Sequence, residues 1–178
     1  MPRLHTQDIA SVSGQAAQLF GAIKGAIGKV PNAYLDVGSN SPVALEAALN
    51  LDGALRKSSL KGKQVEAIKL AVSEVAGCDY CLAAHSLAAK KLGLSSEAVL
   101  ALRRADNSGD AQLDALTSFV HALVTTHGTV PQATVDAVRA AGYSDAQIVD
   151  TLLAVASITF TNLFNRVNDT VLDFPVAD

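Results

Sequence analysis

Apolar positions recur along most of the chain at spacings of three and four, the period of helices that bury one face. Val65, Ile68, Val72 and Val75 form such a stripe in a helix predicted from about Lys61 to Ala76, and Gly77 follows at the left-handed helix-ending position. Upstream, the pattern predicts a helix over 8–28 stopped by Gly28 and Pro31. A loop follows over 29–41, carrying Pro31, Asn32, Gly38, Ser39 and Asn40. Ser41-Pro42 opens a second helix to about Lys57, with proline at the first helical position. Downstream of Gly77, a helix from about Asp79 to Lys91 ends at Gly93 and pairs with its predecessor as an αα-hairpin. Two later helices start alike, at Leu94-Ser95 and at Tyr143-Ser144. Each has a serine N-cap preceded by an apolar residue, and Val99 or Ile148 stands where a hydrophobic staple closes. Ser144 and Gln147 also fit a capping box. Segments 109–126 and 131–141 supply two more helices, and 145–170 a long final one. No segment alternates with the period of a strand. The fold class read from the pattern is all-α.

Composition narrows the picture. A chain of 178 residues suits a single domain over 1–178 with a sizeable core. It is 49% hydrophobic with no tryptophan, so its apolar content is mostly small aliphatic side chains that let helices approach closely. The formal net charge is −3, and basic doublets such as Lys90-Lys91 and Arg103-Arg104 are isolated, which argues against a nucleic-acid partner. The N-terminal residues hold no apolar signal core. The most apolar stretch, Ala146 to Phe164, contains Asp150, several threonines and Asn162, and reads as a buried helix rather than a membrane span. A cytoplasmic protein with no membrane partner is expected.

The chemistry concentrates at the hairpin corner. Both cysteines lie in Cys78-Asp79-Tyr80-Cys81. A structural bridge between positions so close in sequence closes almost no loop and stabilises little, so the pair points to reactivity. If Cys78 begins the helix, Cys81 lies one turn on, among free backbone N–H groups at the positive end of the helix dipole, where a thiolate is favoured. His85 follows Cys81 by four residues on the same face and can take the thiol proton. Glu66 on the preceding helix is placed to orient His85. Each residue also has a plainer reading: His85 as a half-buried surface histidine, and Glu66 as a helix-surface carboxylate pairing with Lys69. Cys78, Cys81 and His85 with Glu66 could also ligate zinc, but the second closely spaced Cys/His pair of a structural site is missing. The βαβ context of a thioredoxin-type CxxC is missing as well. His5, His121 and His127 are weaker candidates.

The pattern Glu66-x11-Cys78-x2-Cys81-x3-His85, within the text AIKLAVSEVAGCDYCLAAHS, resembles the signature of the alkylhydroperoxidase AhpD family in the carboxymuconolactone decarboxylase-like superfamily. Weaker similarity runs from SPVALEAALN to TNLFNRVNDTVLDFP. The resemblance implies an AhpD-like helical bundle with the CxxC at the corner of the αα-hairpin and a redox core at about 60–93. It implies a thiol-dependent peroxidase of hydrogen or alkyl hydroperoxides. Cys81 is then the peroxidatic cysteine, Cys78 the proton donor and resolving thiol, and Glu66 with His85 the proton relay. It further implies a homo-oligomer, trimeric or built from trimers, with no bound cofactor or metal. The reductant is an external dithiol such as a dihydrolipoyl protein, and an AhpC-type peroxiredoxin is a partner. Tyr80 stands where the best-known members carry histidine. Its unperturbed pKa of about 10 removes proton exchange at neutral pH but leaves a hydroxyl for hydrogen bonding. Two alternatives stay open: a carboxymuconolactone decarboxylase-like enzyme, and a non-enzymatic thiol redox or zinc-binding module.

Overall fold

Helix α4 is the axis of the fold, and its composition explains why. Ala67, Ile68, Leu70 and Ala71 are fully buried, and α4 packs against α5, α6, α7 and α9. The computed structural model describes residues 2–177. Among them are nine α-helices and no strand: α1 Gly14–Ile27, α2 Asn32–Asn40, α3 Pro42–Leu55, α4 Gly62–Ala76, α5 Asp79–Lys91, α6 Ser96–Arg104, α7 Ala111–Thr125, α8 Gln132–Ala140 and α9 Asp145–Asn168. The stripe expected on α4 is widened by these neighbours. Ile68 and Val72 are buried, Val65 is partly so, but Val75 is exposed on the side no helix covers.

The capping chemistry sets most of the boundaries. Ser41, Ser95 and Ser144 each accept a hydrogen bond from a backbone N–H of the turn they open, and the Ser144–Gln147 capping box is closed. Gly77 ends α4 at φ 60, a conformation that suits glycine. Its N–H donates to Glu74 O, and the N–H of Cys78 donates to Ser73 O, both at 3.0 Å. The chain therefore reverses in two residues and delivers Cys78 to the N-cap of α5.

Two expectations need correction. The first helix begins at Gly14, not at Asp8. Asp8 closes a local turn instead, accepting from the backbone N–H of Ala10 through its carboxylate and of Ser11 through its carbonyl. The expected loop over 29–41 contains α2. Its Gly38 is a packing contact rather than a break. A β-carbon there would lie 2.6 Å from the Phe20 ring and 2.7 Å from Leu45.

Helix α9 is long and apolar enough, by length and composition, to cross a membrane. In this fold its inner face packs on α3 and α4. Two buried polar side chains of that face have partners on other helices: Ser73 Oγ donates to Asn162 Oδ1 at 3.1 Å, and Asn168 Nδ2 to Asp36 Oδ2 at 2.7 Å. The reading of a buried helix holds for this face alone. Val149, Leu152, Phe160, Leu163 and Val167 face outward and are exposed.

Candidate functional site

The α4–α5 corner and the inner face of α9 bring the reactive groups together. Cys78 Sγ and Cys81 Sγ are 2.8 Å apart as free thiols. Cys78 caps α5, and its sulfur accepts the backbone N–H of Cys81 at 3.4 Å. Cys81 Sγ also accepts from Asn165 Nδ2 of α9 at 3.3 Å. Both cysteines are almost completely buried.

The two thiols are driven apart electrically. The hydrogen bond between the two sulfurs is the main cause holding Cys78 below the ordinary thiol range. The Cys81 N–H and the Arg166 guanidinium add to it, while burial opposes. Cys81 moves the other way, raised by the same hydrogen bond, by burial and by the charge on Cys78. Of the two sulfurs, the helix-capping Cys78 therefore loses its proton more readily and Cys81 less so. Asn165 pulls in the opposite direction, favouring charge on Cys81.

Glu66 and His85 meet as a pair. His85 Nδ1 lies 2.8 Å from Glu66 Oε2, bridging α4 and α5. The plainer alternative for Glu66 is not formed, because Lys69 pairs with Asp52 of α3 at 3.0 Å. Asp52 also accepts from Ser157 Oγ at 3.0 Å. Burial alone would raise the Asp52 carboxyl, but Lys69 and Ser157 outweigh it and hold the group below its ordinary value. His85 and Cys81 line the same cavity, with Ile27, Tyr34, Tyr80 and Phe174 among its other walls. Of the Glu66–His85 pair, His85 lines that cavity with Cys81, while Glu66 lines another with Asp52 and Lys69, and the side chains that hydrogen-bond the Cys81 sulfur are Cys78, Asn165 and Thr161.

Tyr80 has a different task from a proton exchanger. Its hydroxyl accepts from the backbone N–H of Ala33 at 3.1 Å and donates to Asp173 Oδ1 at 2.7 Å. Burial and the neighbouring Asp173 push its pKa well above the ordinary tyrosine value. The hydroxyl ties α2, α5 and the C-terminal segment together. Asp173 also pairs with Lys29 at 2.8 Å. Phe174 sets its edge against the Tyr80 ring, with centroids 5.6 Å apart. This strap roofs the site.

Asn165, Asp173 and Phe174 were not singled out in the sequence. A signal existed for Asn165: Asn162, Asn165 and Asn168 recur at helical spacing inside an apolar helix, and a polar row on a buried face demands partners. Asp173 and Phe174 follow the last helix and carried no local signal. Among the described residues, no group of three or more His, Cys, Asp and Glu side chains could hold a metal ion.

Comparisons with known proteins bear on the fold that carries these residues. Residues 42–121 match the model of the carboxymuconolactone decarboxylase family. No curated protein sequence matches the chain. Among solved structures, a peroxidase-related protein from Ralstonia eutropha JMP134 with an alkylhydroperoxidase AhpD core superposes with a TM-score of 0.83 at 20% identity, covering 97% of this chain and 92% of that one. A peroxidase-related protein from Silicibacter sp. TM1040 gives 0.80 at 22% identity, covering 95% and 89%. The debrominase Bmp8, solved in complex with 2,3,4-tribromopyrrole, gives 0.80 at 19% identity, covering 97% and 92%. At these identities the likeness is one of fold.

Proposed function

We propose that this chain, in which residues 42–121 match the model of the carboxymuconolactone decarboxylase family and the fold is of the AhpD type, is a thiol-dependent peroxidase working through a Cys78–Cys81 dithiol/disulfide cycle. The observation that carries the reading is the placement of two thiols 2.8 Å apart at a helix N-terminus, with Cys81 sharing a cavity with a Glu66-held His85.

The cycle uses the two thiols in turn. Cys81 gives up its proton, to the Cys78 sulfur or through His85 and Glu66, as it attacks the terminal oxygen of a hydroperoxide. The O–O bond breaks, Cys81 becomes a sulfenic acid, and the leaving oxygen takes a proton to depart as water or an alcohol. The Cys78 sulfur then attacks Cys81, water leaves, and a disulfide forms. An external dithiol restores both thiols and is itself oxidised to a disulfide. A dihydrolipoyl protein is the reductant the family resemblance favours, with an AhpC-type peroxiredoxin as a further partner. No resident cofactor takes part in this cycle.

The test divides the labour. Cys81→Ser abolishes peroxide consumption. Cys78→Ser blocks turnover and leaves a sulfenic acid on Cys81 that a dimedone-type probe labels. Sulfenic acid trapped on Cys78 in the Cys81→Ser protein, with peroxide still consumed, reverses the assignment.

One second reading has a specific observation behind it. Tyr34, Tyr80 and Phe174 wall the cavity at Cys81, and a flat bromopyrrole is bound by a protein of the same fold. A dithiol can also replace carbon–bromine by carbon–hydrogen, releasing bromide as the two thiols become a disulfide. Bromide release from a bromopyrrole with dithiothreitol as reductant, compared with peroxide loss under the same conditions, separates the two. A direct assay on carboxymuconolactone addresses the decarboxylase alternative.

A further inference from the structure

The two sulfurs open onto different cavities. Cys81 lies on the wall of the apolar one described above, between α2, α5, α9 and Phe174. Cys78 lies on the wall of a second cavity, lined by Arg3, Gly77, Asp79, Arg166, Thr170 and Leu172 among others. The two linings share only Tyr80 and Asn165. Those side chains form a septum, with Tyr80 fixed by Ala33 and Asp173 and Asn165 by Cys81. The second cavity is polar, while the first is mostly apolar, so one molecule is not suited to both. Asn165 Oδ1, in the septum, is buried and has no hydrogen-bond partner in the protein, although buried polar atoms are normally paired.

We propose that the dithiol is served from two sides: the oxidising substrate reaches Cys81 through the apolar cavity, and a dithiol reductant reaches Cys78 through the polar one. The proposal rests on the dithiol cycle above and adds a reductant site to it. The reductant thiolate attacks Cys78 Sγ, forming a mixed disulfide there as the Cys78–Cys81 bond breaks. Cys81 leaves as a thiolate, received by Asn165 Nδ2. The second thiol of the reductant then attacks its own sulfur in the mixed disulfide, and Cys78 leaves as the thiolate that the α5 N-terminus and Arg166 stabilise. Both protons of the dithiol end on the restored enzyme thiols or in solvent. Each leaving sulfur is thus met by a donor already in place, which speeds thiol–disulfide exchange. Asn165 Oδ1 supplies an acceptor for the S–H of the reductant's second thiol before it reacts.

The test begins with the disulfide made by diamide, so that it does not depend on peroxide turnover. The oxidised full-length protein is mixed briefly with 2-mercaptoethanol, which cannot resolve its own mixed disulfide, then acid-quenched and mapped by mass spectrometry. The adduct is expected on Cys78, with Cys81 free. An adduct on Cys81, or an even mixture, overturns the proposal while leaving a peroxide-driven cycle intact. A second measurement uses the cavity mouths. Leu172→Trp is expected to slow reduction of the disulfide several-fold more than it slows peroxide oxidation. Ile27→Trp is expected to do the reverse. Equal effects on both half-reactions from either variant overturn the two-sided assignment.

Discussion

Glu66 holds one nitrogen of His85 at 2.8 Å, and that contact fixes how the imidazole meets the cavity. A carboxylate so placed fixes the ring's orientation and tautomer. General-base help of this kind is worth about 10²–10⁴-fold in rate. Glu66→Gln and His85→Gln are each expected to slow oxidation of Cys81 substantially near neutral pH, with recovery at high pH, where hydroxide ionises the thiol unaided. The double variant is expected to be little worse than either single one, because the pair acts as a unit. The pH profile of oxidation in the four proteins is the check, and a wild-type rate for Glu66→Gln at neutral pH removes Glu66 from the relay. Cys78 makes a second prediction. Its lowered pKa means that reduced protein keeps one thiolate below the pH at which free cysteine ionises, and loses it as pH falls through the lowered value. Thiolate absorbance against pH is expected to show this one early titration, shifted upward in Arg166→Gln because a contributing cation is gone. A single titration in the ordinary cysteine range contradicts it.

Helix α2 shows how an element can be decided by residues far from it. Its Gly38, Ser39 and Asn40 resemble a loop, yet Gly38 is required because the Phe20 ring and Leu45 occupy the space of a side chain. Gly38→Ala would gain helix propensity in isolation. Here it forces overpacking, which typically costs about 1–3 kcal/mol. Lower thermal stability with unchanged helix content is the expected outcome, read by calorimetry and circular dichroism, and a stabilised variant contradicts it. The same distinction marks what was legible in the sequence. The α4–α5 hairpin was readable because its determinants are local: the apolar period, Gly77, and cysteines at fixed spacing. The later N-caps were readable for the same reason, and Ser95 and Ser144 cap as expected. Glu66 and His85 were readable because a tight hairpin brings the two helices side by side. Asn165 was not, since it reaches Cys81 across 84 positions of sequence. Nor was the strap: Asp173 has no motif, and its value comes only from finding Lys29 and Tyr80 in space. Tyr80 could be seen as a departure from the family pattern, but its role as a tether could not.

At the scale of the molecule, the outer face of α9 lacks a partner within the chain. Val149, Leu152, Phe160, Leu163 and Val167 form an exposed apolar row at spacings close to a helical period. A contiguous patch of this kind marks an association surface, and we propose that copies of the chain meet there, in a trimer or an assembly of trimers. Leu163→Glu, at a position 62% exposed, leaves the fold unstrained but puts charge into that contact. Dissociation of the variant by light scattering is the expected result, and a monomeric wild-type protein at micromolar concentration contradicts the proposal. Above all of these stands the dithiol cycle, and one measurement reaches it directly. Reduced protein is treated with a single equivalent of hydroperoxide, digested without reductant, and mapped by mass spectrometry. The account predicts loss of two hydrogens, one intramolecular Cys78–Cys81 disulfide, and return of both thiols on adding a dithiol. Unconsumed peroxide with both thiols intact, or disulfides formed mainly between chains, would contradict it.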